Sequence, residues 1–152
     1  MTILTRLRAF LDSLIGLRLE IHGQSMEPTF KSGTRLVASR LPKRWARLRR
    51  GDVVVVKPPD QAELLELKRI LGLPHEIVSW SGGGIRVNDR LLDEPYARIP
   101  APPPGDDDMR SVQLDNGQYF VAGDNRLFSH DSRRYGPLPR QAIVGIVRPS
   151  PP

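Results

Sequence analysis

The chain has no cysteine, which excludes a disulfide framework and any thiolate-ligated zinc site but leaves the compartment open. It also lacks a long uncharged hydrophobic run near its start. The longest there, Ser13 to Leu17, is closed by Arg18 and Glu20 and falls far short of the roughly 20 apolar residues a spanning helix needs. The same stretch is too polar for the core of a secretory signal. Histidine is scarce, with His22, His75 and His130 the only three, and no internal repeat is visible. Neither a metal nor a cofactor is expected.

Basic side chains are plentiful. The 152 residues carry 23 Lys and Arg against 17 Asp and Glu, a net charge of +6. That excess points to an anionic neighbour, either a membrane surface or nucleic acid. The charge concentrates in Lys43-Arg44-Trp45-Ala46-Arg47-Leu48-Arg49-Arg50. Such a run is a solvated loop or, given Trp45 and Leu48 within it, a contact with the headgroup region of a bilayer. Residues 1–17 place Ile3, Leu4, Leu7, Phe10, Leu11, Leu14 and Ile15 at helical spacing, with Arg6, Arg8, Asp12 and Ser13 opposite. This predicts an amphipathic helix, lying in a membrane surface or packed on the domain or a partner. Residues 18–152 make one domain by length.

From Leu17 the period changes to two. Leu17, Leu19 and Ile21 alternate with Arg18, Glu20 and His22, which predicts a strand. Further strands are expected at Arg35–Ser39 and at Asp52–Lys57, whose unbroken valines fit burial on both faces. Glu76–Trp80 and Ile85–Val87, separated by Gly82-Gly83-Gly84, read as a hairpin, with a second turn at Asn88-Asp89. Leu64–Leu71 fits helix or strand by pattern alone. Residues 98–108 form a Pro-rich, acid-ended loop that cannot join a sheet centrally. Val112–Leu114, Tyr119–Ala122 and Ala142–Val147 complete the set. Many short strands with Gly and Pro between them predict a mainly β domain, a coiled or barrel-like sheet.

The segment Gly23-Gln24-Ser25-Met26-Glu27-Pro28-Thr29-Phe30 puts a serine on a turn, since Pro28 fixes its own φ and biases Glu27 away from the helical region. A hydroxyl is a weak nucleophile until a base takes its proton. Adjacent residues point apart, so His130, Asp131 and Ser132 cannot converge as a triad by themselves, and surface or packing roles suit all three histidines. Lys68 has the most apolar setting of Lys31, Lys57 and Lys68. A lysine base must be neutral, and bringing its pKa from about 10.4 to near 7 corresponds to roughly 4 to 5 kcal/mol, which burial can supply. A lone lysine in an apolar strand is otherwise a snorkelling surface residue.

Four segments in this order, GQSMEPTF, RGDVVVVKPP, LKRILGLPHE and GDNRLFSHDSRRYG (Gly123–Gly136), resemble the bacterial type I signal peptidase family over roughly Leu19 to Val147. The stretch Gly84–Tyr96, ending Glu94-Pro95-Tyr96, also looks like the family's "VNG…L.EPY". The resemblance implies a β-rich Ser/Lys-dyad serine endopeptidase that removes N-terminal leaders after small residues, with the substrate extended beside the strand entering Ser25. It implies Ser25 as nucleophile, Lys68 as general base and Ser129 as the hydroxyl orienting the lysine. Asp131 and Arg133 would form a buried ion pair, Gly123, Asp124 and Asn125 would shape their turn, and Gly23, Gln24, Met26 and Pro28 would form the oxyanion and substrate region. Gly23 removes any side-chain oxyanion donor two residues before Ser25. Pro74-His75-Glu76 replaces the family's usual Pro-Gly-Asp, and Gly33-Thr34 its Gly-Asp.

The expected partners are precursor leader peptides and an anionic membrane surface, without nucleic acid, for a monomer peripheral to the membrane. With no spanning segment before Ser25, a soluble relative that matures a cytosolic precursor, of the nickel superoxide dismutase maturation kind, is the nearest rival. A non-catalytic lipid- or nucleic-acid-binding module is the rival of another class.

Overall fold

The computed structural model describes residues 16–40, 47–61, 63–82, 84–99 and 109–147. Residues 1–15 of the expected N-terminal helix, Trp45 with the start of the basic run, and residues 100–108 of the Pro-rich stretch lie outside them.

The described residues form a mainly β structure of antiparallel strands. A seven-stranded sheet, curled into a half-barrel, is ordered β1-β2-β11-β3-β4-β9-β10. Its strands are β1 (Leu17–Glu20), β2 (Arg35–Arg40), β3 (Val53–Val56), β4 (Glu66–Gly72), β9 (Gln118–Ala122), β10 (Leu138–Pro139) and β11 (Ile143–Val147). A four-stranded sheet is ordered β7-β6-β5-β8. It comprises β5 (Ile77–Ser81), β6 (Gly84–Val87), β7 (Arg90–Leu91) and β8 (Arg110–Gln113).

The valine run becomes β3, inside the large sheet and buried along its whole length. β-branched side chains fit a pleated surface covered on both faces. The segment that pattern left between helix and strand is β4, because it pairs with β3 on one side and β9 on the other. Two cores explain its continuous apolar character. Ile70 joins Val54, Val56, Val121, Leu138, Ile143 and Ile146 in the first. Its neighbour Leu71 joins Val78, Ile85, Val87, Leu114, Phe120 and Ala122 in the second, between the sheets. Successive residues on a strand face opposite ways, so β4 and β9 each feed both cores.

The strands read on either side of the glycines, β5 and β6, pair antiparallel, with Val78 opposite Val87 and Trp80 opposite Ile85. Asn88 and Asp89 both take positive φ, 49° and 64°, the geometry of a two-residue turn between twisted strands. A single helical turn, α1 (Ser132–Tyr135), is capped by the Asp131 side chain, which accepts from the Arg133 N–H. No periodicity announced it, since four residues are too few to show one.

Candidate active site

Ser25 stands on the turn that follows β1. The strand's continuation is tied back by the Ile21 N–H to the Thr34 carbonyl at 2.9 Å and by the Gly33 N–H to the Ile21 carbonyl at 2.7 Å. Gly23 has φ +92° and the Glu27–Pro28 peptide is cis. Met26, 1% exposed, anchors the turn in the interior, while Ser25 is half-buried and Gln24 and Pro28 are exposed. Among the described residues the Ser25 N–H has no acceptor.

Lys68 lies on β4 directly opposite Val54, with Glu66 opposite Val56. Residues two apart on a strand share a face, so Lys68 falls on the face of Ile70, among the aliphatic side chains of the first core. It is 2% exposed. Its Nζ is 3.0 Å from Glu66 Oε2, an ion pair by distance, although that oxygen accepts no bond of hydrogen-bonding geometry among the described residues. Ser25 and Lys68 line one groove of about 290 Å³, together with Leu19 to Gln24, Met26, Val55, Leu65 to Leu67, Phe128 and His130.

The segment Gly123–His130 docks on the serine turn. The Asn125 N–H donates to the Ser25 carbonyl at 3.0 Å. A Cβ on Gly123 would stand 2.5 Å from that same carbonyl oxygen and 2.3 Å from Ser129 Oγ, so only glycine lets the two segments meet this closely. Ser129 Oγ accepts from the Gly123 N–H at 3.1 Å and is bonded to Asp131. The ion-pair partner of Lys68 is therefore Glu66, and the recorded partners of Ser129 are Gly123 and Asp131. Asp131, fully buried, accepts from the Gly123 N–H and pairs with Arg133 at 2.9 and 3.0 Å. Burial alone would push its carboxyl up, but the Arg133 guanidinium, the Ser129 hydroxyl and the Gly123 amide together hold it below its ordinary value. Asn125 is also fully buried, and its side-chain amide finds no partner among the described residues.

Several supports went unread in the sequence. Arg69, beside Lys68, grips Asp124 with two hydrogen bonds of 2.8 and 2.7 Å, and Thr29 of the serine turn donates to the same carboxylate. Arg126 clasps Glu94 bidentately in a buried pair. Tyr96 donates to Glu94 at 3.1 Å and lies under Arg69, 4.0 Å from guanidinium to ring centroid. The Glu94-Pro95-Tyr96 motif thus fastens the small sheet to the loop over the site. Among the described residues no group of His, Asp and Glu is placed to hold a metal.

The family model for signal peptidase, peptidase S26, matches residues 1–150. "Signal peptidase I V" of Bacillus subtilis is 33% identical over 138 residues, covering 84% of this chain and 81% of that protein. "Probable signal peptidase I-2" of Synechocystis is 38% identical over 130 residues, covering 82% of this chain and 58% of its relative. A crystal structure of a signal peptidase I from Enterococcus faecalis superposes with a TM-score of 0.58 at 24% identity, over 68% of this chain and 98% of that one. That likeness bears on the fold. Together the matches make this a serine endopeptidase rather than a binding module. The chain belongs to the signal peptidase family, peptidase S26.

Proposed function

We propose that Ser25 and Lys68 are the nucleophile and general base with which this chain cuts N-terminal leader peptides from precursor proteins after small residues. The observation that carries the reading is a groove shared by a turn-borne serine and a lysine only 2% exposed. As Ser25 Oγ attacks the scissile carbonyl, Lys68 takes its proton and passes it to the leaving amine. Water then hydrolyses the acyl-enzyme, with the same amine as base. The Ser25 N–H, without an acceptor among the described residues, is available to the oxyanion. Ser129 and the Asp131–Arg133 pair keep the loop seated on the serine turn.

β1 pairs only with β2 and forms the outer edge of the described sheet. Its residues Leu19 and Glu20 line the groove, so an extended leader can add to it as a further strand, with main-chain bonds giving affinity and the groove choosing side chains. No helix of the described residues is long and apolar enough to cross a membrane. The basic excess and the amphipathic start support attachment to an anionic membrane surface, and exposed Leu127 and Phe128 beside the groove fit that placement.

Cleavage of a leader peptide ending Ala-x-Ala tests the dyad. Ser25→Ala and Lys68→Ala each abolish it, and the double variant is no worse, because members of one catalytic unit are not additive. Lys68→Arg is equally inactive, since guanidinium stays protonated. An active Lys68→Arg enzyme removes the general-base role.

A further inference from the structure

Glu66 belongs to none of the assigned roles, yet among the described residues its carboxylate is the one that forms an ion pair with the lysine amine, 3.0 Å away on the same strand face. Its Oε2 is buried and without a hydrogen bond among the described residues. Among the described residues both polar atoms of the Asn125 side-chain amide and Arg140 Nη2 share that condition, and so do His130 Nδ1 and Tyr135 Oη. The His130 and Tyr135 rings meet edge-on at 5.2 Å, and His130 Nε2 faces Asp60 at 3.2 Å. Burial, joined by the charges of Asp131, Glu66 and Asp60, pushes the Tyr135 hydroxyl well above its ordinary range. The other ionisable groups on the groove are Glu20 and His22. Glu20 pairs with Arg35 and Asp131 with Arg133, so neither is committed to Lys68. Native structures rarely leave a buried carboxylate oxygen without a donor, and one beside a buried amine asks for a role.

We propose that Glu66 is the positioning residue of the general base: it holds Lys68 as an ammonium ion in the resting enzyme, sets the lower pH boundary of activity, and stabilises the ammonium formed when Ser25 gives up its proton. Glu66 transfers no proton itself. The proton leaves Ser25 Oγ for Lys68 Nζ as the Oγ–C bond forms, then leaves Nζ for the amine nitrogen as the C–N bond breaks. In deacylation a water gives its proton to Nζ while its oxygen bonds the acyl carbon, and Ser25 Oγ recovers that proton. A carboxylate 3 Å from Nζ favours the charged form of the amine at every stage. It therefore makes the lysine a stronger base while demanding a higher pH to free it.

The inference rests on the Ser25/Lys68 reading, and two measurements separate them. In the full chain, Glu66→Gln moves the acidic midpoint of kcat/KM against pH down by about one to three units, the span of a close opposite charge. Its plateau kcat falls several-fold, and Glu66→Asp restores part of both changes. A midpoint that stays put or rises overturns the proposal. Because Glu66→Gln could also lose turnover altogether, Lys68 is followed directly by NMR of the ε-methylated amine in Ser25→Ala, with and without Glu66→Gln. The Lys68 titration midpoint falls when Glu66 is neutralised, and an unmoved midpoint overturns the proposal even if activity changes. If Ser25→Ala itself still cleaves the leader, the dyad fails. If Ser25→Ala is inactive and the Lys68 midpoint is indifferent to Glu66, this inference alone fails.

Discussion

Taking a carboxylate out of water is costly unless donors meet its oxygens, and Asp131 meets that condition with bonds from Gly123, Ser129 and Arg133. Asp131→Ala leaves Arg133 without its partner and the Gly123 amide without an acceptor, and about 3 kcal/mol of stability is lost, as when one member of a buried pair is removed. The pH dependence follows from the sign of the shift. The folded pKa lies below the ordinary aspartate value, so the native state favours the ionised form. The stabilisation is fully present above the unfolded pKa and disappears as pH falls through the folded one. Urea unfolding checks this: the gap between wild type and Asp131→Asn is constant from pH 5 to 7 and closes below about pH 4. A gap that widens in acid contradicts the assignment of Asp131 as a stabilising anion.

At the scale of elements, the turn joining β4 to β5 carries a local conflict. His75 sits there at φ +70°, a left-handed conformation that costs an ordinary L-residue roughly 1 to 2 kcal/mol. The Pro-Gly-Asp of the resembling family has a glycine at this point. The turn holds nonetheless, because the His75 N–H donates to the Leu114 carbonyl and Glu76 accepts from the Leu73 N–H while pairing with Arg50. His75→Gly relieves the strain but gives the unfolded chain more freedom, which offsets part of the gain. The expected net effect is a stabilisation of up to about 1 kcal/mol, read as a higher urea midpoint with unchanged slope. A loss of stability would show that the imidazole makes contacts worth more than the strain.

For the whole molecule, the net charge of +6 is the quantity to test. If residues 1–17 and the 43–50 run hold the protein on anionic lipid, co-sedimentation with vesicles containing phosphatidylglycerol exceeds that with phosphatidylcholine alone. Raising salt from about 0.05 to 0.5 M shortens the screening length to a few ångström and weakens the binding. Trp45→Ala weakens it further by removing an interfacial anchor. Binding indifferent to both salt and lipid charge assigns these segments to packing or to a protein partner.

The strands were legible in the sequence because alternation and turn residues are local properties. Leu17 to Ile21, the valines of β3, and Asn88-Asp89 each state their conformation within a few residues. The serine's place on a turn was legible for the same reason, and the ordered motifs carried the family, as the matches along the chain bear out. Whether residues 64–71 are helix or strand was not legible, since the pattern permits both and only pairing with β3 and β9 decides it. Nor could composition say whether Lys68 snorkels or is buried, because burial depends on what other strands lay over it. Once β4 is a strand, alternation puts Glu66 and Lys68 on one face, but the 3.0 Å approach of their charges is a tertiary fact. So are the clasps of Arg126 on Glu94 and Arg69 on Asp124, which join residues 32 and 55 positions apart. Local sequence determines φ and ψ preferences and periodicity, whereas contacts between distant charges exist only once the cores on the two faces of β4 have closed around them.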